Sequence, residues 1–168
     1  MESLPNSRRI LREIELAPGV HQRELQRRLA LPTGVIEYHL HRLVKGRLII
    51  ERKEGGYTRY FPERGLTEDE RKALSFLRQE TPRLILLYLL DTPGSRHGDI
   101  LKVLAISGAT LTHHLKRMVA AGVLIEERES STVRYRIAHP EEAKKVLIAY
   151  RPSFLDQLVD QIVGSWQS

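Results

Sequence analysis

Residues 31–50, LPTGVIEYHLHRLVKGRLII, decide how the rest of the chain is read. Ile36, Leu40, Leu43 and Val44 fall at i, i+4, i+7 and i+8, one stripe of an α-helix, while Glu37, Tyr38, His41, Arg42 and Lys45 occupy the other face. Gly46 follows, suited to the left-handed position after a helix end. Leu48-Ile49-Ile50 is too short for another helix and predicts a strand that opens a hairpin. The same construction returns at residues 106–125, ISGATLTHHLKRMVAAGVLI. There the stripe is Leu111, Leu115, Met118 and Val119, Thr112, His113, Lys116 and Arg117 face out, and Gly122 stands at the end.

The recurrence runs along most of the chain at a constant offset of 75 residues, with no gap. Arg8, Ile10 and Leu11 match Arg83, Ile85 and Leu86; Pro18-Gly19 matches Pro93-Gly94; His39-Leu40 matches His114-Leu115; Arg59-Tyr60 matches Arg134-Tyr135. Two copies of one small domain in tandem explain this better than one larger fold. In each copy the order is the same. A helix over residues 8–16 is ended by Pro18-Gly19, a short helix covers 21–29, and Pro32-Thr33 breaks the chain before a helix over 34–45. Strands at 47–52 and 57–62 then close a hairpin on Glu54-Gly55-Gly56. The expected fold is mainly α with small β-hairpin wings: two tandem winged helix-turn-helix domains, residues 1–62 and 82–139, plus a C-terminal helix.

Between the copies, at residues 63–81, Thr67-x-x-Glu70 is a capping box that predicts a linker helix from residue 68 to about 80. Thr81-Pro82 supplies a cap and an N1 proline for a helix over 83–90. That helix is apolar nearly all round, which implies burial on more than one side. Residues 140–168 have no counterpart in the first copy. A helix is expected over 141–150, then another opening at Pro152 with a stripe of Phe154, Leu155, Leu158, Val159, Ile162 and Trp166. Such a stripe needs a cover. With Leu84 and Leu87 beside it, it is read as the dimerisation surface of a homodimer.

The chain has 168 residues, formal net charge +6 and pI about 9.8. Residues 1–62 carry net +5, 63–140 net +2 and 141–168 net −1, so the first copy should grip phosphates the harder. No cysteine is present, which excludes disulfides, thiolate metal sites and thiol redox sensing. The longest apolar run, residues 84–90, is too short to span a bilayer, and residues 1–7 lack a signal-peptide core. A cytoplasmic, nucleoid-associated location is the expectation.

The second segment, SGATLTHHLKRMVAAGVLIEE, is similar to the recognition-helix signature of winged-helix regulators of the ArsR and MarR superfamily, and the whole resembles the tandem winged-helix regulators of archaea. The resemblance covers residues 8–62 and 83–139 and implies double-stranded DNA as the partner. It implies that Ser107, Thr110, Thr112, His113 and Lys116 face the major groove, and that His114 and Leu115 face inward. In the first copy Pro32, Val35 and Glu37 depart from the small hydroxyl and amide residues usual there. ArsR relatives often sense metals through cysteine, a route closed to this chain.

The residues themselves supply what DNA reading needs: hydrogen-bonding groups for base edges and cations for phosphates. Thr33, Tyr38, His41 and Arg42, with Thr112, His113, Lys116 and Arg117, are the candidate base readers. Arg52, Lys53, Arg59, Arg134 and Arg136 on the wings, with Arg23, Arg27 and Arg28 on a second helix, are the candidate phosphate contacts. Glu37 would accept from a cytosine, repel phosphate or pair with an arginine. The paired histidines 39/41 and 113/114 do not share helix faces, so no metal site is expected. His39 and His114 are read instead as hydrogen-bonded packing residues. No phosphate loop, HExxH or nucleophile elbow is present, so no enzyme and no cofactor is expected, and an effector ligand is left unassigned. A sequence-nonspecific chromatin protein and a protein-interaction scaffold are the alternatives, the latter disfavoured by the basic charge.

Overall fold

The computed structural model describes residues 5–168. Residues 1–4, which open the expected first domain and belong to the stretch read against a signal peptide, lie outside the described residues. The first repeat runs α1 (Asn6–Leu16), β1 (Val20–His21), α2 (Gln22–Leu29), α3 (Thr33–Lys45), β2 (Ile49–Glu54) and β3 (Tyr57–Pro62). After α4 (Glu68–Leu77) the second repeats it as α5 (Glu80–Asp91), β4 (Ser95–Arg96), α6 (His97–Val103), α7 (Gly108–Ala120), β5 (Leu124–Glu129) and β6 (Thr132–Ile137). The chain closes with α8 (Pro140–Ala149), a 3-10 turn (Arg151–Phe154) and α9 (Gln157–Gln167). Each repeat is a helix-turn-helix with a three-stranded antiparallel sheet, ordered β1-β3-β2 and β4-β6-β5.

The short first strand of each sheet explains the best-matched parts of the repeat. Val20 pairs with Tyr60, and Ser95 with Tyr135. The Gly19 N–H donates to the Tyr60 carbonyl at 2.8 Å, and the Gly94 N–H to that of Tyr135 at 2.9 Å. Arg59 and Arg134 each return a guanidinium hydrogen bond to the carbonyl of that glycine, at 2.9 and 3.0 Å. Pro-Gly and Arg-Tyr recur together because they are two sides of one contact.

Two cores form. In the first, Ile10, Ile14, Leu25, Ile36, Leu40, Leu43 and Ile49 close α1, α2 and α3 over the sheet. The second is larger, taking in α4, α5, α7, α8 and α9, with Leu74, Leu77, Leu86, Leu115 and Leu147 among its fully buried side chains. Phe61 joins the two repeats. Side chains alternate along β3, so Tyr60 enters the first core while Phe61, wholly buried, enters the second. Burying that ring is worth roughly 1.5–3 kcal/mol.

Several boundaries depart from expectation, each for a local reason. Gly46 is right-handed at φ −76°, and Arg47 takes the left-handed position at φ 57°. In the second repeat Ala121 is right-handed and Gly122 left-handed at φ 79°, so the conformation recurs at the 75-residue offset although the glycine does not. Helix α4 ends at Leu77, and α5 starts at Glu80 rather than at residue 83, because Gln79 between them is extended. Thr81 is therefore inside the helix, and Pro82 is its third residue, where an N–H has no intrahelical acceptor. Only half of the capping box forms. Thr67 Oγ1 accepts from the Glu70 N–H at 3.1 Å, while the buried Glu70 carboxylate turns to Lys145 at 3.1 Å.

The tail breaks where one helix was expected. Leu155 turns left-handed at φ 52° and is 75% exposed, so Phe154 belongs to the preceding turn and only Leu158, Val159, Ile162 and Trp166 share α9. Phe154 and Val159 are buried in the chain's own second core, as is Leu87. Leu84, Leu158, Ile162 and Trp166 line an apolar groove of about 500 Å³ between α5 and α9. No helix of the described residues is long and apolar enough to cross a membrane.

Candidate nucleic-acid interface

In the first helix-turn-helix, His21 caps α2 by accepting the Glu24 N–H on Nδ1 at 3.1 Å. Ala30 in the left-handed region then turns the chain, and extended Pro32 starts α3. The buried stripe of Ile36, Leu40 and Leu43 fixes which face of α3 is left outside. That face carries Thr33, Glu37, Tyr38, His41, Arg42 and Lys45, all exposed. Arg42 donates to the Tyr38 hydroxyl at 2.9 Å and lies 5.6 Å from its ring centre, so the two project as a unit. Glu37 pairs with none of the arginines expected; it accepts from the Gln22 amide at 3.2 Å.

On the second repeat Ser107 caps α7, its Oγ accepting the Thr110 N–H at 3.1 Å. His113 and Lys116 stand exposed. Thr112 does not: its hydroxyl donates to the Gly108 carbonyl at 2.9 Å and lies 3.0 Å from His97 Nε2, which holds α6 against α7. Arg117 is also engaged elsewhere. It pairs with Glu54 at 3.2 Å and lies 5.7 Å from the ring centre of Phe76, so the first wing's tip rests on the second outward helix. A Cβ at Gly55 would collide with that guanidinium, so the glycine serves close approach as well as the turn.

Among the wing cations, Lys53 is exposed and Arg52 half pairs with Glu68 at 3.0 Å. Arg134 is exposed, and Arg136 pairs with Glu127 at 2.6 Å. Arg59 departs from the expectation of a phosphate contact. It is 3% exposed, on the wall of a cavity that Arg78 and the tail residues Ser153 and Phe154 also line, whereas Arg134 stands open. Arg28 is likewise turned inward, to Glu13, Glu24 and the Ser153 carbonyl. Burial, and then Arg59, push the His21 imidazole below its ordinary pKa. Burial pushes His114 down too, helped by His113 and Arg117. The expected hydrogen bond of His114 is missing at Nδ1, which is buried without a partner. Among the described residues no three His, Asp or Glu side chains cluster as metal ligands.

Sequence reasoning missed Arg78 and Arg83, which no motif marks. Arg78, at the end of α4, donates to the Pro18 carbonyl at 2.8 Å and to Ser153 Oγ at 2.8 Å, and lies 4.4 Å from the ring centre of Phe154. One side chain thus ties the first repeat, the interrepeat helix and the tail.

A family model described as an N-terminal HTH domain matches residues 6–74, and one described as winged helix-turn-helix DNA-binding matches residues 78–125. The matched families are of DNA-binding helix-turn-helix domains, not of enzymes. An uncharacterized HTH-type transcriptional regulator of Methanocaldococcus jannaschii is 32% identical over 120 residues, 71% of this chain. The chain spans 30% of that relative's length. It carries two helix-turn-helix domains in tandem, the second a winged helix-turn-helix of the DNA-binding kind, and is similar to an archaeal HTH-type transcriptional regulator.

Proposed function

We propose that the protein is a sequence-specific transcriptional regulator that reads double-stranded DNA by placing α3 and α7 in major grooves, with its wings on the backbone. The observation that carries this reading is the pair of exposed helix faces, Tyr38-His41-Arg42 and His113-Lys116, each held out by a buried stripe on the same helix. Thr33, Ser107 and Thr110 flank those faces at the helix starts. Lys53, Arg52, Arg134 and Arg136 serve phosphates, while Arg59, Thr112 and Arg117 act as the framework that holds the readers. A homodimer through the α5–α9 groove completes the reading, and the protein works on the cytoplasmic nucleoid.

The test is fluorescence anisotropy of the purified protein with genomic and random duplexes over a salt series, alongside its mass by light scattering. Specific regulation predicts binding that weakens steeply with salt yet keeps its preference against nonspecific competitor. Salt-steep binding without preference would make the protein architectural. No binding would assign both helix faces to protein contacts, and a monomer mass at working concentration would remove the dimer.

A further inference from the structure

Where the two repeats meet, a cavity of about 250 Å³ opens between α2, β3, the end of α4 and the turn before α9. Arg27, Arg28, Arg59, Arg78 and Arg83 all line it. Three have acidic partners: Arg27 and Arg28 share Glu24, Arg28 also holds Glu13, and Arg83 pairs with Asp156 at 2.8 Å. The other two do not. Arg59 and Arg78 give hydrogen bonds to neutral acceptors, the carbonyls of Gly19, Pro18 and Ser153 and the hydroxyl of Ser153. Arg59 Nε and Arg78 Nη2 are buried with no acceptor at all.

Buried guanidinium charges are ordinarily matched by an anion, because the desolvation cost is otherwise uncompensated. Here Arg59 of the first repeat and Arg78 at the end of the interrepeat helix line one cavity, and the two carboxylates that also line it, Glu24 and Glu80, pair with neither. Burial, and then the charges of Arg28, Arg59 and Arg83, push Arg78 down to about 9, the mark of an electropositive enclosure. Guanidinium forks suit tetrahedral oxyanions, which accept paired N–H bonds. The volume holds several waters or one anion the size of pyrophosphate.

We infer that the cavity between the repeats is a binding site for a small phosphate-bearing metabolite, held by Arg78 and Arg59 at its floor and Arg27 at its mouth. The occupant bridges the first repeat and the interrepeat helix and strengthens their junction, which makes it an effector by position. This site does not depend on the DNA reading, and its primary test is binding in the absence of DNA.

The experiment is isothermal titration of the full chain with inorganic pyrophosphate at constant ionic strength. Saturable binding, one per chain, is expected. Arg27 is mostly exposed and holds only Glu24, so R27A leaves the fold intact and weakens binding by about threefold to tenfold. Glu80 also lines the cavity, and E80Q removes an opposing charge and tightens binding. R12A, an exposed arginine outside the cavity, changes nothing. R78M abolishes binding, with circular dichroism reporting whether the fold survives. Absence of saturable heat with the unaltered chain, or an affinity that R27A and E80Q both leave unchanged, overturns the inference. Displacement of bound pyrophosphate, one for one, by duplex DNA also overturns it and gives the pocket to the nucleic-acid backbone.

Discussion

Arg59 and Arg134 are the same residue in two copies, with the same hydrogen bond and different surroundings. R59A strands a buried Gly19 carbonyl and should cost about 1–3 kcal/mol in denaturant unfolding, whereas at exposed Arg134 water takes over the acceptor and R134A costs well under that. Equal losses would contradict the burial difference. His41 and Arg42 lie at the opposite extreme, exposed and free of the core. H41A with R42A should leave the melting temperature unchanged while specific binding falls by about tenfold or more in competition anisotropy. His21 and His114 make stability depend on pH. Both imidazoles titrate below their unfolded value of 6.5, so the unfolded chain takes up protons first and stability is lost as pH falls from about 7 towards 5. H114N should flatten part of that slope in urea midpoints measured across the range.

At the scale of elements, the end of α3 carries the clearest test. Arg47 occupies the left-handed position that Gly122 fills in the other copy. R47G should stabilise by roughly 0.5–1 kcal/mol, and G122R should destabilise by a similar amount, both read by chemical denaturation. Much of this level was legible beforehand. The 75-residue offset gave the tandem architecture, and apolar stripes such as Ile36-Leu40-Leu43 gave the helices and their outward faces. What escaped depends on contacts distant in sequence. Two-residue strands such as Val20–His21 have no pattern of their own and exist only because β3 pairs with them. The break at Leu155 follows from Phe154 seating under Arg78, and nothing local to that leucine announces it. The inward turn of Arg28 and Arg59 escaped for the same reason, since an arginine's neighbours in the chain do not say which side the other repeat will cover.

At the scale of the molecule, Arg78 is the junction. R78A removes its hydrogen bonds to Pro18 and Ser153 and its stacking on Phe154 at once. We expect a loss of about 2–4 kcal/mol and, in calorimetry, a single transition separating into two as the repeats unfold independently. A single transition at the original temperature would mean that Phe61 and the Glu54–Arg117, Arg52–Glu68 and Arg28–Ser153 contacts hold the halves together without Arg78.

The first wing's tip resting on Arg117 carries a further consequence for any operator the protein reads with both helices. Two readers locked this way measure a distance, as a caliper does, and have no hinge with which to follow a target that moves. Five base pairs inserted between the half-sites would turn the second half to the far side of the duplex, since B-DNA repeats every ~10.5 base pairs. Such an operator should lose affinity for the whole protein although every contacted base is intact, and ten inserted pairs should not restore it.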